Sequence, residues 1–219
     1  MKTLPRMLAL AALAATFSAQ AVTLVPDTWV ALPGTTEAAE PQLAGLVLED
    51  DIQAFSFNGG SGIISGTVQS RVVRSSVDGT LDFYWRIISD DRSAGSIGTF
   101  RLGQFIASEY NANWRIDGLG QVAPDAARLF SPVSNGDVNF RFTSPNGSDT
   151  LGPGQESYFL LLDTTATSYA RTGVFDFTGP SQISGQYTTF APAVPEPATY
   201  AMLLAGLAVA GVAAKRRRS

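Results

Sequence analysis

The chain of 219 residues has no cysteine and no histidine, and only two lysines, at its extremities. Each absence excludes a class of chemistry. Without cysteine there are no disulfides, no thiol nucleophile and no thiolate metal site, so stability rests on core burial and backbone hydrogen bonding. Without histidine there is no His-dependent triad, no His–zinc site and no ordinary general base near neutral pH. Residues 22–193 also lack lysine and methionine, and hold 9 Arg against 18 Asp plus Glu. The weakly negative chain, with a net charge of −4, therefore contains a more acidic body between two basic ends. Such a body disfavours nucleic acid, which needs clustered cations.

The ends carry most of the information. Lys2 and Arg6 precede an apolar run over 7–17, followed by Ser18-Ala19-Gln20-Ala21. This is the order of a secretory signal peptide over 1–21, with Ala19-x-Ala21 predicting a mature start at Val22. No cysteine follows the run, as a lipoprotein would require. No twin arginine is present, so the general secretion translocon and signal peptidase are the expected partners.

At the other end, Val194-Pro195-Glu196-Pro197 precedes 17 uncharged residues, 198–214, and then Lys215-Arg216-Arg217-Arg218. As a helix that span reaches roughly 25 Å, slightly short of a hydrocarbon core of about 30 Å. The basic cluster predicts a cytoplasmic stop, placing the body on the far side of the membrane. Pro195 and Pro197 keep Glu196 in extended chain, open to a processing enzyme.

Residues 194–207 (Val-Pro-Glu-Pro-Ala-Thr-Tyr-Ala-Met-Leu-Leu-Ala-Gly-Leu), followed by Arg216-Arg217-Arg218, resemble the PEP-CTERM sorting domain. The resemblance covers about 26 residues and includes all three parts in order. It implies recognition by an exosortase-type membrane peptidase near 195–197, in a Gram-negative bacterium of the kind that makes extracellular polysaccharide. The implied route is export, transient anchoring through the membrane helix, and delivery to the cell surface or extracellular matrix. A GPI-type signal, the competing tail architecture, does not end in a basic cluster.

The body reads as β. Residues 22–45 form a loose lead punctuated by Pro26, Pro33, Gly34 and Pro41. From 46 to 191 short alternating segments are separated by Gly and Asn turns. The clearest hairpin joins 63–74 to 81–88 through Asp78-Gly79, a type I′ turn signal. Leu81, Phe83, Trp85 and Ile87 fall on one face, with Asp82, Tyr84, Arg86 and Ile88 on the other. Further strands are expected over 97–106, 113–116, 138–143, 158–163, 173–177 and 184–190, with one helical turn over 124–130. No long amphipathic helices alternate with them, so the expected fold is all-β: one antiparallel β-sandwich, jelly-roll-like.

Candidate chemistry in the body is thin. Asp90, Asp91, Glu109, Asp117 and Glu156 offer carboxylates for glycoside hydrolysis, though an acidic chain supplies many accidental pairs. Asn135, Asp137 and Asn139 offer oxygen ligands for calcium, and turn chemistry explains them equally well. No other cofactor is expected. Tyr110 and Trp114 lie nearest turn signals and are the aromatics best placed to stack on sugar rings. The leading expectation is a non-catalytic surface or matrix protein of a biofilm or exopolysaccharide. A carbohydrate-binding module is the alternative, and a glycosidase or polysaccharide lyase ranks last.

Overall fold

The computed structural model describes residues 20–107, 109–130, 137–144, 146–147, 150–179 and 182–193. Twelve strands form two six-stranded sheets. They are β1 (Val22–Thr23), β2 (Val30–Ala31), β3 (Gly45–Asn58), β4 (Ile63–Ser75), β5 (Leu81–Ser89) and β6 (Thr99–Gly103). The rest are β7 (Asn111–Trp114), β8 (Ala126–Leu129), β9 (Val138–Arg141), β10 (Leu160–Asp163), β11 (Tyr169–Thr178) and β12 (Tyr187–Pro192). One sheet runs β1-β7-β10-β5-β4-β3 and the other β12-β11-β6-β9-β8-β2. Every ladder between these strands is antiparallel.

Period-two alternation builds the core, because successive side chains on a strand point to opposite faces. Phe55, Val68, Phe83, Trp85 and Leu162 from the first sheet meet Phe100, Phe140, Phe175 and Phe177 from the second in one buried cluster. The Phe55 and Phe177 rings stand 4.3 Å apart, and Trp85 and Phe100 6.1 Å. Trp85 Nε1 donates to Thr189 Oγ1 on β12 at 2.8 Å, and that hydroxyl donates to Ser70 Oγ on β4 at 3.2 Å. A line of hydrogen bonds thus crosses the apolar layer and ties both sheets together.

The first sheet is covered on its outer face as well. Leu43, Val73, Tyr84, Phe159 and Leu161 form a second buried cluster there. Its lid is a 3-10 turn, Pro41–Leu43. This explains why β10 reads Leu-Leu-Leu-Asp: a strand buried on both faces needs no polar alternation.

Four local expectations are corrected. Residues 22–45 are woven into the body: β1 pairs with β7, β2 pairs with β8, and Leu24, Leu32 and Leu43 are buried. Two-residue strands leave no readable pattern, so punctuation dominated that stretch. The 124–130 segment holds β8 and no helical turn; so short a helix is marginal alone, whereas β8 gains ladder partners on both sides. β6 stops at Gly103, where Gln104 takes a left-handed φ of 55°.

The β4–β5 connection is a four-residue loop, because Arg74 pairs with Leu81 and Ser75 N–H donates to the Thr80 carbonyl. A type I′ turn requires positive φ at both central residues, and only Gly79 has it, at 77°. Asp78 instead accepts from the Thr80 amide and hydroxyl, which hold its carboxyl below the usual carboxylate range. Gly79→Ala should therefore cost about 1–2 kcal/mol in urea unfolding, from backbone conformation alone. Nothing stands within 4 Å of the added Cβ, so a much larger loss would contradict this turn geometry.

Candidate functional site

The outer face of the first sheet gathers the body's unusual chemistry. Asp82 on β5 and Asp163 on β10 are register partners, so their side chains emerge side by side. Asp82 is 1 % exposed, and neither of its oxygens receives an N–H or O–H from another residue type. Burial first, and then the charge of Asp163, push Asp82 up to about 9. At neutral pH Asp82 therefore keeps its proton and donates it to Asp163, as in carboxyl pairs that cannot both ionise. Asp163 is also raised, chiefly by burial, with the Asp82 hydrogen bond opposing.

Sequence reasoning missed this pair. Asp82 looked like an outward polar residue of an alternating strand, and only strand register reveals its partner. The pair lines neither of the two cavities below.

Beside it lies an open groove of about 440 Å³. Its floor is Tyr84 and Phe159, framed by Arg71, Arg115 and Asp117, with Leu119 at the rim. Arg71 and Arg86 stack over the Phe159 ring at 4.9 and 5.4 Å from its centroid. Each guanidinium is already paired: Arg71 with Asp50 at 2.7 Å, Arg86 with Glu156 at 3.4 Å, and Arg115 with both oxygens of Asp117 at 2.6 and 3.0 Å. The Arg115 fork holds the Asp117 carboxyl below its ordinary range. Tyr84 donates its hydroxyl to the Leu43 carbonyl at 2.6 Å, and burial pushes it well above the usual phenol range. The Arg115–Asp117 fork presents donors and acceptors together beside an aromatic floor.

A smaller cavity of about 220 Å³ lies over the second sheet, between Arg101, Asp137, Asn139, Asp176 and Gln186. Two of the residues with calcium-type oxygens, Asp137 and Asn139, line it; Asn135 lies outside the described residues. Arg101 occupies the cation position there, its Nη2 bound to Asp176 at 2.7 Å. Among the described residues, no three Asp, Glu, His or Cys side chains group as metal ligands.

Tyr110 and Trp114 are half-buried against the core. The Tyr110 hydroxyl donates to the Phe105 carbonyl at 3.1 Å and accepts from Ala107 N–H. Trp114 Nε1 donates to the Leu32 carbonyl at 3.2 Å, and its ring lies 4.8 Å from that of Tyr158. Asp90, Asp117 and Glu156 each answer to a different partner, namely Ser65, Arg115 and Arg86. Asp91 and Glu109 are exposed.

The chain leaves the body from an edge. β12 is the outermost strand of the second sheet, and Ala193 N–H still donates to the Ser168 carbonyl at 2.9 Å. Ala19, residues 194–197, the 198–214 span and Lys215 to Arg218 lie outside the described residues. Among the described residues no helix is long and apolar enough to cross a membrane. This all-β body thus runs directly, with no spacer after β12, into a C-terminal sorting segment. Residues 193–218 match the family model of the PEP-CTERM protein-sorting motif, and the chain is an exported protein targeted to an exosortase. No curated protein and no solved structure matches the chain.

Proposed function

We propose that the signal peptide is removed after Ala21, that 198–214 anchors the chain transiently, and that an exosortase-type peptidase acts near Pro195–Glu196–Pro197. The β body is then a non-catalytic surface or matrix component associated with extracellular polysaccharide in a Gram-negative bacterium. The sorting motif carries this reading, because its residues specify export and membrane-side processing. The junction supports it: the processing segment begins two residues after β12 ends, so the folded body survives the cut whole. Intact mass of the protein from cells with and without the peptidase tests it. Only cells with the enzyme should lose the chain beyond the Pro-Glu-Pro segment; an unchanged tail in both ends the reading.

The groove favours one second reading, a carbohydrate-binding role. Its volume falls within the range of small-ligand sites, and its Arg115–Asp117 fork suits hydroxyl-bearing ligands. Calorimetry with neutral and acidic polysaccharides, with calcium and with chelator, is the measurement. Arg71→Ala should weaken binding at least about tenfold, the worth of one charge-assisted hydrogen bond. No heat with any polysaccharide in either condition removes this role.

A further inference from the structure

Ala21 N–H donates to Glu40 Oε1 at 2.8 Å. Glu40 is 3 % exposed, and its Oε2 is buried with no partner. Gln42 Nε2 adds only a long contact of 3.4 Å to Oε1. The neighbourhood is acidic, with the charge of Glu40 acting on Asp163, and Asp163 on Asp82. Arg115, the base that acts on Asp82, has its fork committed to Asp117 and the Leu43 carbonyl. A buried carboxylate held only by neutral amides is costly, because it has lost water and gained no counter-charge. Residues 22–193 contain no lysine and no histidine, so no side-chain amine is available to fill the place.

We propose that removal of the signal peptide creates the missing counter-ion: the α-ammonium freed on Val22 pairs with Glu40 and locks β1 onto the body. The inference rests on cleavage between Ala21 and Val22. Water adds across that peptide bond, its hydroxyl going to the Ala21 carbonyl carbon and its proton to the Val22 nitrogen. The new amine takes a further proton from solvent at neutral pH. Val22 is held beside β7 by its pairing with Ala112. Its nitrogen lies one peptide unit, less than about 4 Å, from the Ala21 nitrogen that touches Glu40 in the uncut chain. Cleavage takes that amide away and leaves three donors on a nitrogen whose leading side is free to swing toward Oε1 and Oε2. The uncut precursor has no such charge, so the body gains this lock only after it has crossed the membrane.

The test uses the exported, tail-bearing chain from cells lacking the processing peptidase. Three forms are compared: the wild type, Glu40→Gln, and a chain with Gly-Ser inserted between Ala21 and Val22. N-terminal sequencing comes first: a wild-type start other than Val22 refutes the cleavage reading and this inference with it. Amine labelling at pH 7 is then read by peptide mass. Val22 in the native wild type should label at least about tenfold more slowly than in urea-unfolded protein, and the inserted chain should lose that protection. The insertion should also lower Tm by about 5 °C or more, as expected for a broken buried ion pair in a domain of this size. In Glu40→Gln it should have almost no further effect. If Glu40→Gln does not fold, the insertion decides alone, because it leaves Glu40 intact. A Val22 start with native labelling as fast as unfolded, or with Tm unmoved by the insertion, overturns the ion pair while leaving the export reading intact.

Discussion

Raising the pH from about 4 to 9 should progressively weaken the folded body, the reverse of what a carboxylate-rich protein with ordinary ion pairs would do. Asp82 carries the effect. In the unfolded chain it titrates near its ordinary value of 3.8; in the folded state burial and Asp163 raise it to about 9. Between those values the folded state holds a proton that the unfolded state has released. Folding is therefore favoured most below the unfolded pKa, and the advantage is lost as pH climbs through the folded one. At about 1.4 kcal/mol per unit, the loss from pH 4 to 7 is on the order of 4 kcal/mol. Asp163, also raised, acts in the same direction.

The groups facing the pair include Asp78, Glu40 and Glu109, whose negative charges reinforce the shifts, and Arg115, whose positive charge opposes that of Asp82. Asp50, Asp78 and Asp117 are lowered, so their contributions hold at higher pH and vanish only in acid. Stability should accordingly peak near about pH 4, where the lowered carboxylates are ionised and Asp82 has lost little of its advantage. Urea unfolding at pH 5, 7 and 9 measures it. Asp82→Asn keeps the shape and still donates to Asp163, so it should flatten the profile and match or exceed the wild type at pH 8. A wild-type stability that rises from pH 5 to 8, or an unchanged slope in Asp82→Asn, would refute the shared proton.

Much of this molecule was legible because its signals are local. Leu81, Phe83, Trp85 and Ile87 announce an inner face by period alone, and the face is buried as expected. The sorting segment is linear chemistry, readable with no fold at all. What was hidden depends on partners distant in sequence. Alternation put Asp82 opposite Phe83, yet nothing near it says that Pro41–Leu43 folds over that side. The Asp82–Asp163 pair exists only through the β5–β10 register. Glu40 stood in a stretch that reads as a loose lead, and nothing in that stretch announces that it is buried. The groove likewise joins Glu37, Arg71, Arg115 and Phe159, which no spacing rule connects. Asp78-Gly79 marked the position of the turn correctly but not its type, since loop length follows from ladder register.

Trp85→Ala should be the most damaging single substitution in the core. The indole is 1 % exposed and sits among the rings of Phe83, Phe100 and Phe105, at 6.4, 6.1 and 5.6 Å between centroids. Truncation removes those contacts and leaves a cavity between two sheets whose backbones are fixed by their ladders and cannot close on it. Such losses run to about 3–5 kcal/mol, a large share of a domain stability of roughly 5–15 kcal/mol. No disulfide is present to restrain the remainder. The substitution also strips Thr189 of its indole donor, and Thr189 belongs to β12, the strand from which the sorting segment departs. Trp85→Phe separates the two effects. It keeps most of the ring volume and loses the hydrogen bond, so it should cost about 1–3 kcal/mol. Thr189→Val, which leaves a buried indole N–H unpaired, should cost a similar amount, and the two together should fall short of their sum because they break the same bond. Chemical denaturation followed by near-ultraviolet circular dichroism gives all four stabilities. If Trp85→Ala stays within about 1 kcal/mol of the wild type, Trp85 is not the tie between the sheets, and β12 is held by its pairing with β11 and by its Thr189–Ser70 and Tyr187–Ser56 hydrogen bonds.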